Sequence, residues 1–310
     1  MIARTPTPPP GSHSSGLSDS DLAALHRSIL LASDASAAAF AATRVTAELA
    51  AHWGTTPRVC TVVPPPPLAL DPTGATVAYA PTLEEALRLA VCHQLEEIGS
   101  LGWRYEVAVG APSAEIVRVA HLQQSDLIVV GLRPHAFLDR MFRDETALSI
   151  MRQASVPVLA VTPMLTRLPR RIAVAIDFSR ASIAAARAAL TMLADGGSLH
   201  LVYVEPVAER WSPDAEGFAT IYAQGVAAAF NRLRGDLSLG RDTQIDTTVL
   251  HGGVAAELLS FAQRADIDLI AVGSQRHSIA RRAFVGSVTS ALARASRCSL
   301  LVIPPRSPGT

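Results

Sequence analysis

Three things are scarce in this 310-residue chain, and each scarcity excludes a class of protein. Cysteine occurs only at Cys60, Cys92 and Cys298. The number is odd and the spacing is not that of a metal site, so the thiols read as small apolar side chains in a reducing compartment. Net charge is absent, because 27 Lys plus Arg balance 27 Asp plus Glu. No overall field therefore draws the chain to nucleic acid or to an anionic membrane. Long apolar runs are missing as well: Asp34, Arg152 and Arg167 interrupt any stretch approaching the roughly 18 to 20 residues that a membrane span needs. The chain before about Asp21 is rich in Pro, Ser and Gly and lacks the apolar core of a signal peptide. It is expected to be a disordered tail on a cytoplasmic protein.

Signatures of catalysis are scarce too. No Gly-Lys-Ser or Gly-Lys-Thr run offers a phosphate-gripping lysine, and no Gly-x-Ser-x-Gly turn offers a strained nucleophile. The nine histidines are scattered, with no pair at ligand spacing. No catalytic residue and no metal ligand is assigned. Trp53, Trp103 and Trp211 are read as core or interface residues.

What the chain does have is repetition. Asp126-Leu-Ile-Val-Val-Gly131 returns 142 positions later as Asp268-Leu-Ile-Ala-Val-Gly273. Ala32-Ser-Asp34-Ala-Ser36 returns as Ala175-Ile-Asp177-Phe-Ser179, and the segment from Gly110 to Glu115 returns as Gly252 to Glu257. A period this long is a whole domain duplicated. With 49% hydrophobic residues, each copy is large enough to bury its own core. The expected organisation is a tail over residues 1–24, a first domain over 25–165 and a second over 166–306.

The second copy reads more clearly. Arg171-Ile-Ala-Val-Ala-Ile176 is a short, wholly apolar run, as a parallel strand covered on both faces requires. Ser179 offers an N-cap to an Ala-rich helix over residues 180–194. Further strands are expected at 199–204, 245–250, 269–272 and 299–303, with helices between them and a last helix starting near Ser287. The first copy follows suit, with strands near 28–33, 58–63, 105–109, 127–130 and 156–161. There Thr82-x-x-Glu85 reads as a capping box for its second helix. Alternating strands and helices predict an α/β architecture of two tandem, doubly wound, five-stranded parallel sheets.

In doubly wound sheets, ligands gather beyond the carboxyl ends of the strands, where the winding reverses. Two segments of the second copy reach that place: Asp177, and the loop from Gly273 to Thr289. Gly273 permits a close approach or an unusual dihedral. Gly286-Ser287 precedes a helix, whose free N–H groups and positive dipole end favour an anion. Between Ser274 and Gly286 lie three Arg, one His (His277) and no acidic residue. On spacing alone, the segment fits equally well a surface loop with a glycine turn and a serine cap.

These residues resemble the universal stress protein family, in tandem, from about Ser28 to Pro304. Its ATP-binding branch carries Gly-x2-Gly-x9-Gly-Ser/Thr after the fourth strand and an Asp closing the first. Gly273, Gly286, Ser287 and Asp177 match that pattern, and Arg276 stands where the middle glycine would be. A side chain there either crowds the phosphates or grips them with its guanidinium. The resemblance implies an adenine-nucleotide site formed by Ala175, Asp177, Val204, Gly273, Arg276, Gly286, Ser287, Val288 and Thr289, for ATP with or without Mg²⁺. In the first copy, Asp144-Glu145 occupies the place of Gly286-Ser287. Two carboxylates there satisfy the helix dipole and repel phosphate by roughly 1 to 4 kcal/mol each. One site per chain is therefore expected, in a stress-response protein that acts as a regulatory module toward an unknown protein partner. The resemblance also implies that the last strands, residues 156–161 and 299–303, pair antiparallel about a pseudo-two-fold axis and cover both edges, an intramolecular pseudo-dimer that is open to homodimerisation. A nucleotide-free scaffold of the same family is the alternative. An ATP-using enzyme is the weaker third reading, with at most slow hydrolysis.

Overall fold

Each continuously apolar run becomes a strand buried between helices. The computed structural model describes residues 28–65, 80–100, 102–133, 144–205, 215–237, 243–274 and 286–305. The expected N-terminal tail, Trp211, Arg276 and His277 lie outside them. In the first half the described elements are β1 (Ile29–Ala32), α1 (Ala37–Trp53), β2 (Arg58–Val63), α2 (Ala80–Glu97), β3 (Arg104–Val109), α3 (Pro112–Leu122), β4 (Leu127–Gly131), α4 (Asp144–Gln153) and β5 (Val158–Val161). The second half repeats them as β6 (Arg171–Ile176), α5 (Arg180–Met192), β7 (Ser198–Glu205), α6 (Ala215–Leu237), β8 (Gln244–His251), α7 (Val254–Arg264), β9 (Leu269–Gly273), α8 (Ser287–Ala295) and β10 (Ser299–Ile303).

The ten strands form one sheet in the order β3-β2-β1-β4-β5-β10-β9-β6-β7-β8. Within each half every pairing is parallel. The halves meet where β5 and β10 run antiparallel, with Leu159 opposite Leu301 near the pseudo-two-fold axis. The expected pairing of the two last strands is thus present, and it turns two five-stranded sheets into one. Ser299, fully buried, strengthens the junction: its hydroxyl accepts from the Thr162 N–H at 3.1 Å. Trp53 ties the halves a second time, donating its indole N–H to the Thr191 carbonyl in α5 at 3.0 Å.

Two apolar layers cover the sheet. One packs α1, α2, α5 and α6 against side chains such as Leu31, Val129, Val174 and Leu201. The other packs α3, α4, α7 and α8 against Leu30, Ile128, Ile270 and Leu300. Alternate residues of each strand feed opposite layers, which is why the strands read as unbroken apolar runs.

The repeated motifs now have causes. The carboxylate of Asp268 accepts from the N–H groups of Arg170 and Arg171 at 2.8 and 2.9 Å, fixing the entry to β6. Asp126 does the same for Ser28 at 3.0 Å. Glu115 and Glu257 fold back over Gly110 and Gly252, where an added Cβ would meet them at 2.7 and 3.0 Å. One expectation is corrected. α2 starts at Ala80, so Thr82 lies inside the helix and does not cap it. Pro81 explains the shift: its locked φ and missing N–H suit a first helical turn, so the helix begins ahead of the threonine.

Candidate functional site

The order β10-β9-β6-β7-β8 places the switch point of the second half between β6 and β9, with Ala175 opposite Val272. The chain leaves β6 at Asp177, an exposed residue, and turns at once into α5. Short hydrogen bonds hold this turn. The Asp177 Oδ1 accepts from the Ser179 N–H at 3.0 Å, and the Ser179 Oγ caps α5 by accepting from the Ser182 N–H at 3.2 Å. The Ser182 hydroxyl lies 3.3 Å from the Asp177 N–H, which donates to it. Between them Phe178 adopts a left-handed φ of 58°. That conformation is rare for a bulky residue and needs support from its surroundings.

Gly273 ends β9 beside this turn. A Cβ there would sit 2.4 Å from the Ala181 carbonyl carbon and 2.6 Å from the Ser182 nitrogen. Gly131 is in the same position against Ala38 and Ala39, at 2.7 Å. The close approach that the sequence predicted at Gly273 is therefore to the first turn of α5, a packing requirement shared by both halves. Gly286 differs. It precedes α8 with φ −55° and ψ 157°, and among the described residues an added Cβ would meet nothing within 4 Å. No described neighbour demands glycine at this position.

α8 begins without a side-chain cap and with no acidic residue in its first turn. Its opening N–H groups, at Ser287, Val288 and Thr289, have no intrahelical acceptors, as at any helix start. Ser287 is exposed, Val288 packs on the layer that also holds Ala175 and Val204, and Thr289 is buried. The structure thus gathers Ala175, Val204 and Val288 on one face of the sheet, with Asp177 and Gly273 at neighbouring strand ends. Arg276 lies outside the described residues. In the first half, α4 starts at Asp144, where Gly286 stands in the second. Among the described residues, no group of three or more His, Cys, Asp or Glu is placed to hold a metal ion.

Sequence reasoning missed an aromatic cluster under the Asp177 turn. The Phe178 ring lies 5.5 Å from that of Tyr203 on β7 and 5.1 Å, edge-on, from that of Phe230 on α6. The Tyr203 hydroxyl contacts the Tyr222 hydroxyl of α6 at 2.5 Å. Burial first, and then this contact, hold the Tyr203 phenol well above the usual tyrosine range, so it stays protonated. The signal in the sequence was Phe178 itself, where the first half has Ala35 in the same left-handed conformation.

No helix among the described residues is long and apolar enough to cross a membrane. The profile of the Universal stress protein family matches residues 26–162 and again 169–304. No curated protein matches the chain significantly. Among solved structures, a universal stress protein from Archaeoglobus fulgidus DSM 4304 aligns over 91% of this chain and 99% of its own, at 19% identity and a TM-score of 0.65. A putative universal stress protein from Pseudomonas aeruginosa UCBPP-PA14 aligns over 92% and 95%, at 14% identity and a TM-score of 0.60. A shorter structure, a universal stress protein in complex with cAMP, covers 44% of this chain and 97% of its own, at 20% identity and a TM-score of 0.37. The two long matches establish the shared fold across both halves. Matched twice along its length, the chain belongs to the universal stress protein family as a tandem of two such domains.

Proposed function

We propose that the chain binds an adenine nucleotide, ATP foremost, at the carboxyl edge of its second half, and thereby changes the surface it offers to a protein partner in the cytoplasm. The observation that carries this reading is the start of α8. Its N-cap residue offers no side-chain cap, its first turn holds no acid, and it is preceded by a glycine that no described neighbour requires. Such a terminus suits phosphate oxygens through its N–H groups and its dipole. Asp177 stands at the end of the adjoining strand as the acceptor for ribose or base hydroxyl and amino groups. Arg276 would add charge on the phosphate side. Mg²⁺, if it accompanies the nucleotide, would rely on the phosphates for most of its ligands. The role is binding; no residue is assigned to catalysis.

Titration calorimetry of the intact chain with ATP tests this. One site per chain is the expected result, and two equal sites would show that Asp144-Glu145 tolerates phosphate. A scaffold without nucleotide is the competing reading. It draws support from Gly273, whose identity packing alone explains. Absence of binding at millimolar ATP would favour it. Native mass spectrometry of protein purified without added nucleotide gives a second, independent answer.

A further inference from the structure

We propose that Phe178 is the positioning residue of the candidate site: its ring, packed against those of Tyr203 and Phe230, aims the Asp177 carboxylate and makes α6 part of the site. This rests on the nucleotide reading and deepens it by naming what holds the ribose- or base-side acceptor in place.

The two halves supply the argument. Both turns bend the same way, with Ala35 and Phe178 each at a φ of 58°, and both aspartates accept from the N–H two residues on at 3.0 Å. The backbone alone therefore does not require an aromatic ring. In the first half the turn is held from outside by an amide: the Gln94 Nε2 donates to the Ala35 carbonyl at 2.9 Å. In the second half a ring anchors the residue that directly follows the aspartate. Phe230, buried on α6, meets that ring edge-on at 5.1 Å, and the tilted ring of Tyr203 stands 5.5 Å away. Aromatic pairs at such separations hold a defined relative orientation. Tyr203 is fixed in turn by the 2.5 Å contact of its hydroxyl with that of Tyr222, a second point on α6. Ser182, also buried, adds a bond to the Asp177 N–H at 3.3 Å that Ala39 of the first half has no hydroxyl to make. A carboxylate that must meet a ligand group gains from being held still before the ligand arrives. The half with the uncapped, acid-free helix start is the half in which the aspartate is held by a ring.

The test is a double-mutant cycle read by ATP titration of the intact chain. Phe178→Ala copies the first half, where Ala35 already occupies this conformation, and Asp177→Ala removes the carboxylate. Each single change is expected to weaken ATP about tenfold. The double variant is expected to bind no more weakly than the poorer single variant, because the ring acts only through the carboxylate. Tyr222→Phe, which keeps the packing and removes one hydroxyl, is expected to weaken ATP about threefold with little change in melting temperature. If the double variant loses about a hundredfold, the product of the singles, Phe178 acts as general packing and this inference falls while nucleotide binding stands. If Phe178→Ala does not fold, Tyr222→Phe decides: unchanged affinity overturns the link to α6. A wild-type chain that binds no adenine nucleotide overturns both readings.

Discussion

The first half leaves β1 through Asp34-Ala35-Ser36 and starts α4 at Asp144; the second leaves β6 through Asp177-Phe178-Ser179 and starts α8 behind Gly286. The aspartate turns share two hydrogen bonds: an Asp Oδ1 takes the N–H two residues on, and a Ser Oγ takes the N–H of the first helical turn. The features common to both copies are those the fold requires, such as Gly131 and Gly273 against their helices, or Asp126 and Asp268 at strand entries. Among the features that differ are a ring in place of a methyl group and a glycine-led helix start in place of two carboxylates. A duplicated chain thus separates what both sheets need from what one half holds alone.

The comparison breaks most sharply at Gly286. Gly286→Asp gives α8 the residue that begins α4, adding a like charge where phosphate would sit and removing one or two charge-assisted hydrogen bonds. Affinity for ATP should fall by about 3 kcal/mol or more, over a hundredfold in calorimetry. Melting temperature should hold or rise slightly, because no described atom meets a Cβ there and Asp is a better N-cap than Gly. Loss of folding together with binding would show that the glycine serves the scaffold.

Gly273→Ala should behave in the opposite way. Its Cβ would lie 2.4 Å from the Ala181 carbonyl carbon, so strand or helix must move. Urea denaturation should show a loss of about 3 kcal/mol, with Gly131→Ala somewhat milder because its nearest contact is 2.7 Å. Equal stability of wild type and both variants would refute the close-packing explanation of the repeated motif.

The last effect, absent at neutral pH, concerns Cys60, whose counterpart in the second half is Val202. Burial above all, then the charges of Glu106 and Glu115, push the Cys60 thiol from 9.0 up to about 12. The folded state keeps the proton that the unfolded chain releases above pH about 9. Stability should therefore be intact below that point and decline as pH rises from 9 toward 12. Cys60→Val, which copies the other half, should flatten that decline in thermal melts. An unchanged slope would place the alkaline sensitivity elsewhere.

Much of this was legible in the sequence because strands covered on both faces must be apolar throughout. Runs such as Val158–Val161 and Ser299–Ile303 announced their burial, and the family resemblance announced their pairing. The start of α2 was misjudged because the local capping pattern at Thr82 competes with Pro81, and the proline governs the first turn. Gly273 illustrates another limit. A sequence shows that a side chain is missing, not which neighbour requires it, and the neighbour is a helix more than ninety residues earlier in the chain. The Phe178 cluster was hidden for a similar reason: its partners Tyr203, Tyr222 and Phe230 come from a strand and a helix with no shared spacing.

The antiparallel contact of β5 with β10 is made within one polypeptide. In a pair of identical subunits, every inherited substitution appears on both sides of the axis, so a site can be kept or lost only in duplicate. Joined in one chain, the halves are free to diverge singly. An Asp can enter one helix start while a Gly persists at the other, and the ratio of the two kinds of helix start stays fixed at any dilution, beyond the reach of subunit exchange.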